Sequence, residues 1–219
     1  MKRSIEETRD RFDDMSGEYD DTRTKIHHRA VHLVVDRAKQ LVSPDTVAVD
    51  IGAGTGMVTL PMAPYVDEIY ALDISPEMLR ELDRKAEERE LRNIRTAAGR
   101  FREPEMEREL PPVDLVISNF AMHHLNDQEK SDAVRTMRSL LTREGSGGGH
   151  VMLGDVILFE DLEHPEEHFD PEVDDPATLE SLTEIFREHG FELDQKEQIS
   201  SAAGVLHFVY KAEPDSERS

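Results

Sequence analysis

The chain has 219 residues and contains no cysteine and no tryptophan; aromatic residues make up 5% of it. Without cysteine there is no disulfide framework, no thiolate metal site and no sulfur nucleophile. No apolar run approaches the roughly 18 residues that a membrane span needs, so a membrane partner is not expected. The opening residues Met1 to Asp10 are charged and lack the apolar core of a secretory leader, and a cytoplasmic location is expected. Lysine is scarce too, with 7 residues against 19 arginines.

Acids are abundant: 48 against 26 bases, a formal net charge of -22. Such a surface repels itself unless salt screens it. The acids recur along the whole chain and do not cluster, which favours a general surface property over an acidic face for one basic partner. Acid excess with few lysines and few aromatics resembles the cytosolic proteins of salt-accumulating, halophilic organisms. No basic groove is legible, so nucleic acid is an unlikely partner. The length suits one α/β domain. Residues 1–20 read as a flexible segment in which Phe12, Met15 and Tyr19 can dock, and residues 21–219 as a single domain with an acidic loop or lid over 159–175. Oligomeric state stays open.

The most informative stretch is Val47 to Gly56, V-A-V-D-I-G-A-G-T-G. An apolar run ending in Asp50, then three alternating glycines, predicts a buried parallel strand turning into a helix. Glycine permits positive φ and lets a ligand approach the backbone, as in nucleotide crevices at the carboxyl ends of strands. The dinucleotide fingerprint G-x-G-x-x-G is not met, because Met57 stands where its third glycine belongs. The phosphate loop of NTPases is absent as well. About 20 residues on, Glu68 to Asp73 repeats the pattern of an apolar run ending in an acid. Ser75-Pro76-Glu77 is a strong helix start. Asp73 therefore sits at a strand tip, where a carboxylate can accept from both hydroxyls of a ribose. A plain strand-end cap is the alternative.

These two motifs resemble those of class I S-adenosylmethionine (SAM)-dependent methyltransferases. The resemblance implies a Rossmann-like, doubly wound seven-stranded sheet, mostly parallel with a reversed terminal strand. It implies SAM as cofactor: the Gly52, Gly54 and Gly56 turn under its methionine and ribose, Asp50 near its cationic end, Asp73 on the ribose and Ile74 against adenine. The family's acid after the third strand is replaced here by Arg100, which cannot accept a hydrogen bond. Adenine recognition around Gly99 and Arg100 is thereby in doubt. Pro112 to Asp127, with its H-H-L turn, resembles the fourth-strand region of small-molecule methyltransferases. Asn119 is then expected at the methionine end, with His123 and His124 near the methyl group. A histidine suits the task of a base or acceptor-positioning group; one that merely shapes the pocket is the alternative. Tyr19, folding over the cofactor, and Asp155, ending the fifth strand, complete the acceptor-side candidates.

The expected activity is methyl transfer to a small molecule. RNA or protein methylation, or SAM binding without catalysis, are the rivals. His28 and His32, and His164 and His168, have the i, i+4 spacing of metal ligands. Solvated surfaces explain both pairs more simply, and no metal is expected.

The expected elements are a helix over 24–42 and strands at 47–50, 68–73, 93–98, 113–118 and 151–158. A short or late helix follows the glycine turn, interrupted near Pro61 and Pro64. Further helices are expected at 75–90, from 126 to 141 and from 176 to 189, and residues 191–211 form an antiparallel pair.

Overall fold

The computed structural model describes residues 5–99, 110–141, 149–164, 167–170 and 172–210. Strands β1 (Val47–Ile51), β2 (Glu68–Asp73), β3 (Ile94–Ala98), β4 (Leu115–Asn119) and β5 (His150–Asp155) are joined by β8 (Phe191–Ser200) and β9 (Ala203–Tyr210). They form one seven-stranded sheet in the order β3-β2-β1-β4-β5-β9-β8. The first five pair in parallel, and β9 runs antiparallel to both neighbours. The strand order reverses between β1 and β4. That switch point opens a crevice beyond the carboxyl ends of the strands.

Side chains alternate between two covered faces, as the period of two along a strand requires. Val49, Ile51, Val116, Leu153 and Phe208 pack beneath α5 (Asp127–Leu141) and α6 (Leu179–Glu188). Ala48, Leu115, Ile117, Met152 and Val205 pack beneath α2 (Lys25–Ala38) and α3 (Thr59–Met62). The helix after the glycine turn is short, as Pro61 and Pro64 predict: α3 passes into a 3-10 turn, Ala63–Tyr65. The expected helix start at Ser75 is realised in α4 (Pro76–Glu88), where Ser75 Oγ accepts from the Met78 amide at 3.1 Å.

Three expectations need revision. Residues 5–15, read as part of a flexible segment, form helix α1 (Ile5–Met15). Its Asp13 sits at the amino end of α4, accepting from Ser75 Oγ at 2.5 Å and the Glu77 amide at 3.3 Å. Unpaired amides and the helix dipole make that end a natural seat for a carboxylate. Asp20 is also tied down, accepting from Lys85 Nζ at 2.6 Å and Thr55 Oγ1 at 2.5 Å. The fifth strand stops at Asp155, whose Oδ1 takes the next amide, Val156, at 2.7 Å. Beyond it, β6 (Ile157–Leu158) pairs with β7 (Ala177–Thr178) in a separate ribbon. Helix α6 consequently starts at Leu179, with Thr178 Oγ1 capping the Ser181 amide.

Candidate active site

Two cavities meet at the switch point. The larger, about 420 Å³, lies over the carboxyl ends of β1, β2 and β4. The smaller, about 290 Å³, lies between the amino-terminal segment and the chain around residues 167–174. Phe12, Tyr19, Phe120 and His124 border both, so these side chains form the shared wall. A narrow recess of about 30 Å³ runs from Gly52 and Gly54 towards Asp50 and Asn119.

In the glycine turn the φ angles of Gly52, Gly54 and Gly56 are 72°, 53° and 87°, conformations that L side chains rarely adopt. A Cβ on Gly52 would collide with the Ala121 Cβ, so the β1 turn is pressed against the β4 turn. Gly56 serves a different purpose from the one expected. A Cβ there would lie 2.8 Å from Leu82 Cγ and 3.1 Å from Leu60 Cγ, so it lets α3 and α4 close together, and it borders none of these three spaces.

Asp73 borders the larger cavity with Ile74 and Gly99. Its two oxygens accept from the Gly54 and Ser75 amides, each at 2.8 Å. Burial raises its pKa against these amide contacts, which pull it down. Asp50 is fully buried beneath the recess and accepts from Thr59 Oγ1 at 2.6 Å. Burial, with Asp73 nearby, pushes its pKa up to about 7. The Asn119 Oδ1 is buried and has no hydrogen-bond partner. Arg100 lies outside the described residues.

The histidines are organised by two acids. His123 Nδ1 is bonded to Asp155 Oδ1, while Asp155 Oδ2 accepts from the Met122 amide at 2.8 Å. Asp155, expected to contact a substrate, is buried behind His123 and borders neither cavity; it orients the imidazole. Burial pulls the His123 pKa down, but Asp155 and Asp174 outweigh it and the net direction is up. His124 Nδ1 and Asp174 Oδ1, both buried, face each other at 2.9 Å as an imidazole–carboxylate pair without a well-formed hydrogen bond. Burial and the neighbouring His123 lower the His124 pKa, so its imidazole is neutral near neutral pH.

Asp174 has no sequence signal, because it reaches His124 from 50 positions away. Its place is set by its neighbour: the Asp175 amide donates to His123 O at 2.5 Å. The buried Lys130 of α5 donates to the Asp175 carbonyl at 2.5 Å and to the Leu125 carbonyl at 2.5 Å. Phe120 was missed too. Its φ of 54° is strained for a bulky residue, and its ring lies tilted against that of His27, with centroids 4.2 Å apart. Burial, then the adjacent Arg23, brings His27 down to a pKa of about 4. Arg23 in turn caps the Tyr19 ring at 4.0 Å. Of the other paired histidines, His168 borders the smaller cavity and His28, His32 and His164 border neither.

Residues 48–145 match the family model described as a methyltransferase domain. An uncharacterised methyltransferase of Geobacillus sp. (strain WCH70) is 27% identical over 207 residues, covering 85% of this chain and 87% of that protein. Both likenesses support a class I SAM-dependent methyltransferase. Another uncharacterised methyltransferase, from Staphylococcus carnosus (strain TM300), is 35% identical over 96 residues, where the match spans 44% of this chain and 42% of the relative. Among solved structures, the methyltransferase fold is shared with YcgJ of Bacillus subtilis at 18% identity and TM-score 0.67, over 85% of this chain and 100% of that one. It is also shared with magnesium protoporphyrin IX methyltransferase of Synechocystis PCC 6803 with bound SAH, at 18% identity and TM-score 0.70, over 95% of this chain and 100% of that one. The seven-stranded sheet with one reversed strand is thus the methyltransferase fold that the glycine turn and the second strand-end acid imply. Among the described residues, no helix is long and apolar enough to cross a membrane.

Proposed function

We propose that this chain transfers the methyl group of SAM to a small-molecule acceptor, with the cofactor in the larger cavity and the acceptor in the smaller one. The observation that carries the reading is the shared wall: His124 borders both cavities. The larger cavity suits a cationic adenosine. Asp73 retains lone pairs for two ribose hydroxyls, and Ile74 and Gly99 border the space left for the base. The bare main chain at Gly52 and Gly54 borders both this cavity and the recess. Asn119 Oδ1, buried without a partner, and the Asp50 carboxyl are two acceptors fit for an ammonium group.

Bound there, the cofactor supplies a methyl group already activated by its sulfonium. The chain's own contribution is alignment and exclusion of water. Phe12, Tyr19 and Phe120 narrow the passage between the cavities. His124, neutral and beside Asp174, is placed to hold an acceptor hydroxyl or amine and to take its proton. The smaller cavity's size approaches that of ordinary ligand pockets. A net charge of -22 also weighs against nucleic acid. The match to the family model ends at residue 145. Most of the smaller cavity comes from outside that stretch, as expected where acceptors differ among relatives.

Calorimetric titration with SAM and with S-adenosylhomocysteine tests the cofactor half. Release of S-adenosylhomocysteine against a panel of metabolites tests the acceptor half. Methyl label appearing in cell RNA or protein, with none in the metabolites, would favour a macromolecular acceptor. SAM binding without turnover on any acceptor would indicate a binding module.

A further inference from the structure

We propose that His123, His124 and Asp174 form a binding site for a borderline divalent transition ion, zinc foremost, in the wall of the smaller cavity. All three residues border that cavity. Their ligand atoms lie within 4.8 Å of one another. Asp174 Oδ1 is 2.9 Å from His124 Nδ1 and 3.8 Å from His123 Nε2. A tetrahedral ion with bonds of about 2.0–2.2 Å holds its donors roughly 3.4 Å apart, so these separations bracket the required one.

Two further observations point to a ligand. His124 Nδ1 and Asp174 Oδ1 are both buried and both lack a hydrogen-bond partner. Buried polar atoms are rarely left so, and an ion would satisfy both at once. The third donor is already oriented. His123 gives its Nδ1 to Asp155, whose other oxygen is anchored on the Met122 amide. This leaves Nε2 on the side of Asp174, the carboxylate–imidazole arrangement that fixes ring orientation behind metal-ligating histidines. Two imidazoles and one carboxylate, with the remaining position open to a cavity, suit zinc, cobalt or iron better than magnesium or calcium. An ion on His124 Nδ1 leaves Nε2 as a donor, so the ion and the base role of His124 exclude each other. The open position would then hold the acceptor.

Chelator-treated full-length protein, without SAM, is titrated with Co²⁺ and followed by its visible absorption. A single equivalent giving tetrahedral or five-coordinate bands, displaced by Zn²⁺, is the expected result. Asp174→Ala and His124→Gln should each weaken Co²⁺ binding by at least about 100-fold, while Asp155→Asn should weaken it by about 10–100-fold. Asp174→Glu should retain it, which guards against mistaking misfolding for ligand loss, and His164→Gln should leave it unchanged. Absence of stoichiometric Co²⁺ bands in the wild-type protein, or bands that persist unchanged in Asp174→Ala, would overturn the proposal. SAM titration of the same preparations is a separate readout, so failure here leaves the cofactor reading standing.

Discussion

Replacing Asp50 with asparagine isolates the electrostatic cost of the carboxyl beneath the recess. In the folded chain its pKa stands at about 7 against an ordinary 3.8. At about 1.4 kcal/mol per pH unit, that difference corresponds to about 4 kcal/mol. The sign follows from proton counting. Between these two values the folded state holds a proton that the unfolded state has released, so stability falls as pH rises through the window. Below about pH 4 the cost is absent; above about pH 7 it is fully present. Asparagine keeps an acceptor for Thr59 Oγ1 and cannot ionise. The assay is urea unfolding of wild type and Asp50→Asn from about pH 5 to about pH 8 at constant high KCl, without SAM. Titration elsewhere is common to both proteins and cancels in the difference. The variant should gain on wild type by about 2–4 kcal/mol across that range. A flat difference would mean that Asp50 is not desolvated as its burial requires, and the reasoning would fail.

Asp73→Ala removes an acceptor shared by two amides and the proposed ribose contact; SAM affinity should fall by about 10–100-fold in calorimetry, since a charged hydrogen bond contributes about 1.5–3 kcal/mol. Gly52→Ala should destabilise the chain by more than about 1 kcal/mol and abolish SAM binding, because positive φ and the Ala121 contact act together. Gly54→Ala meets only Tyr19 Cε1 at 4.0 Å, so melting curves should show a smaller loss, of order 1 kcal/mol. Lys130→Met should raise the KM for the acceptor and weaken SAM binding in calorimetry as well, because Lys130 holds both the Asp175 carbonyl and that of Leu125, which borders the larger cavity.

The crevice at the ends of the first two strands was legible because its signals are local. A strand end, a glycine turn, an acid and a helix cap follow one another within 47–56 and 68–88, and their periods survive into the structure. The wall of the smaller cavity and the amino-terminal docking are assembled from distant segments. Asp174 reaches His124, and Asp13 reaches Ser75, across 50 and 62 positions, and neither contact leaves a pattern in nearby residues. Charged helices such as α1 read as solvent-exposed chain until the partner for Asp13 is known. The fifth strand was overextended because Val156 to Leu158 continue its apolar run. The break comes from Asp155 folding its carboxylate onto its own backbone. Asp155 itself was placed correctly at a strand end but given the wrong partner, since no local rule says which side chain a terminal acid will meet.

The wall of Phe12, Tyr19, Phe120 and His124 gives the enzyme a modular organisation. Residues on one side of it, in α2 and in the chain around residues 167–170, can be exchanged without rebuilding the larger cavity on the other. Descendants of one ancestor can therefore diverge in what they modify while keeping the donor they use.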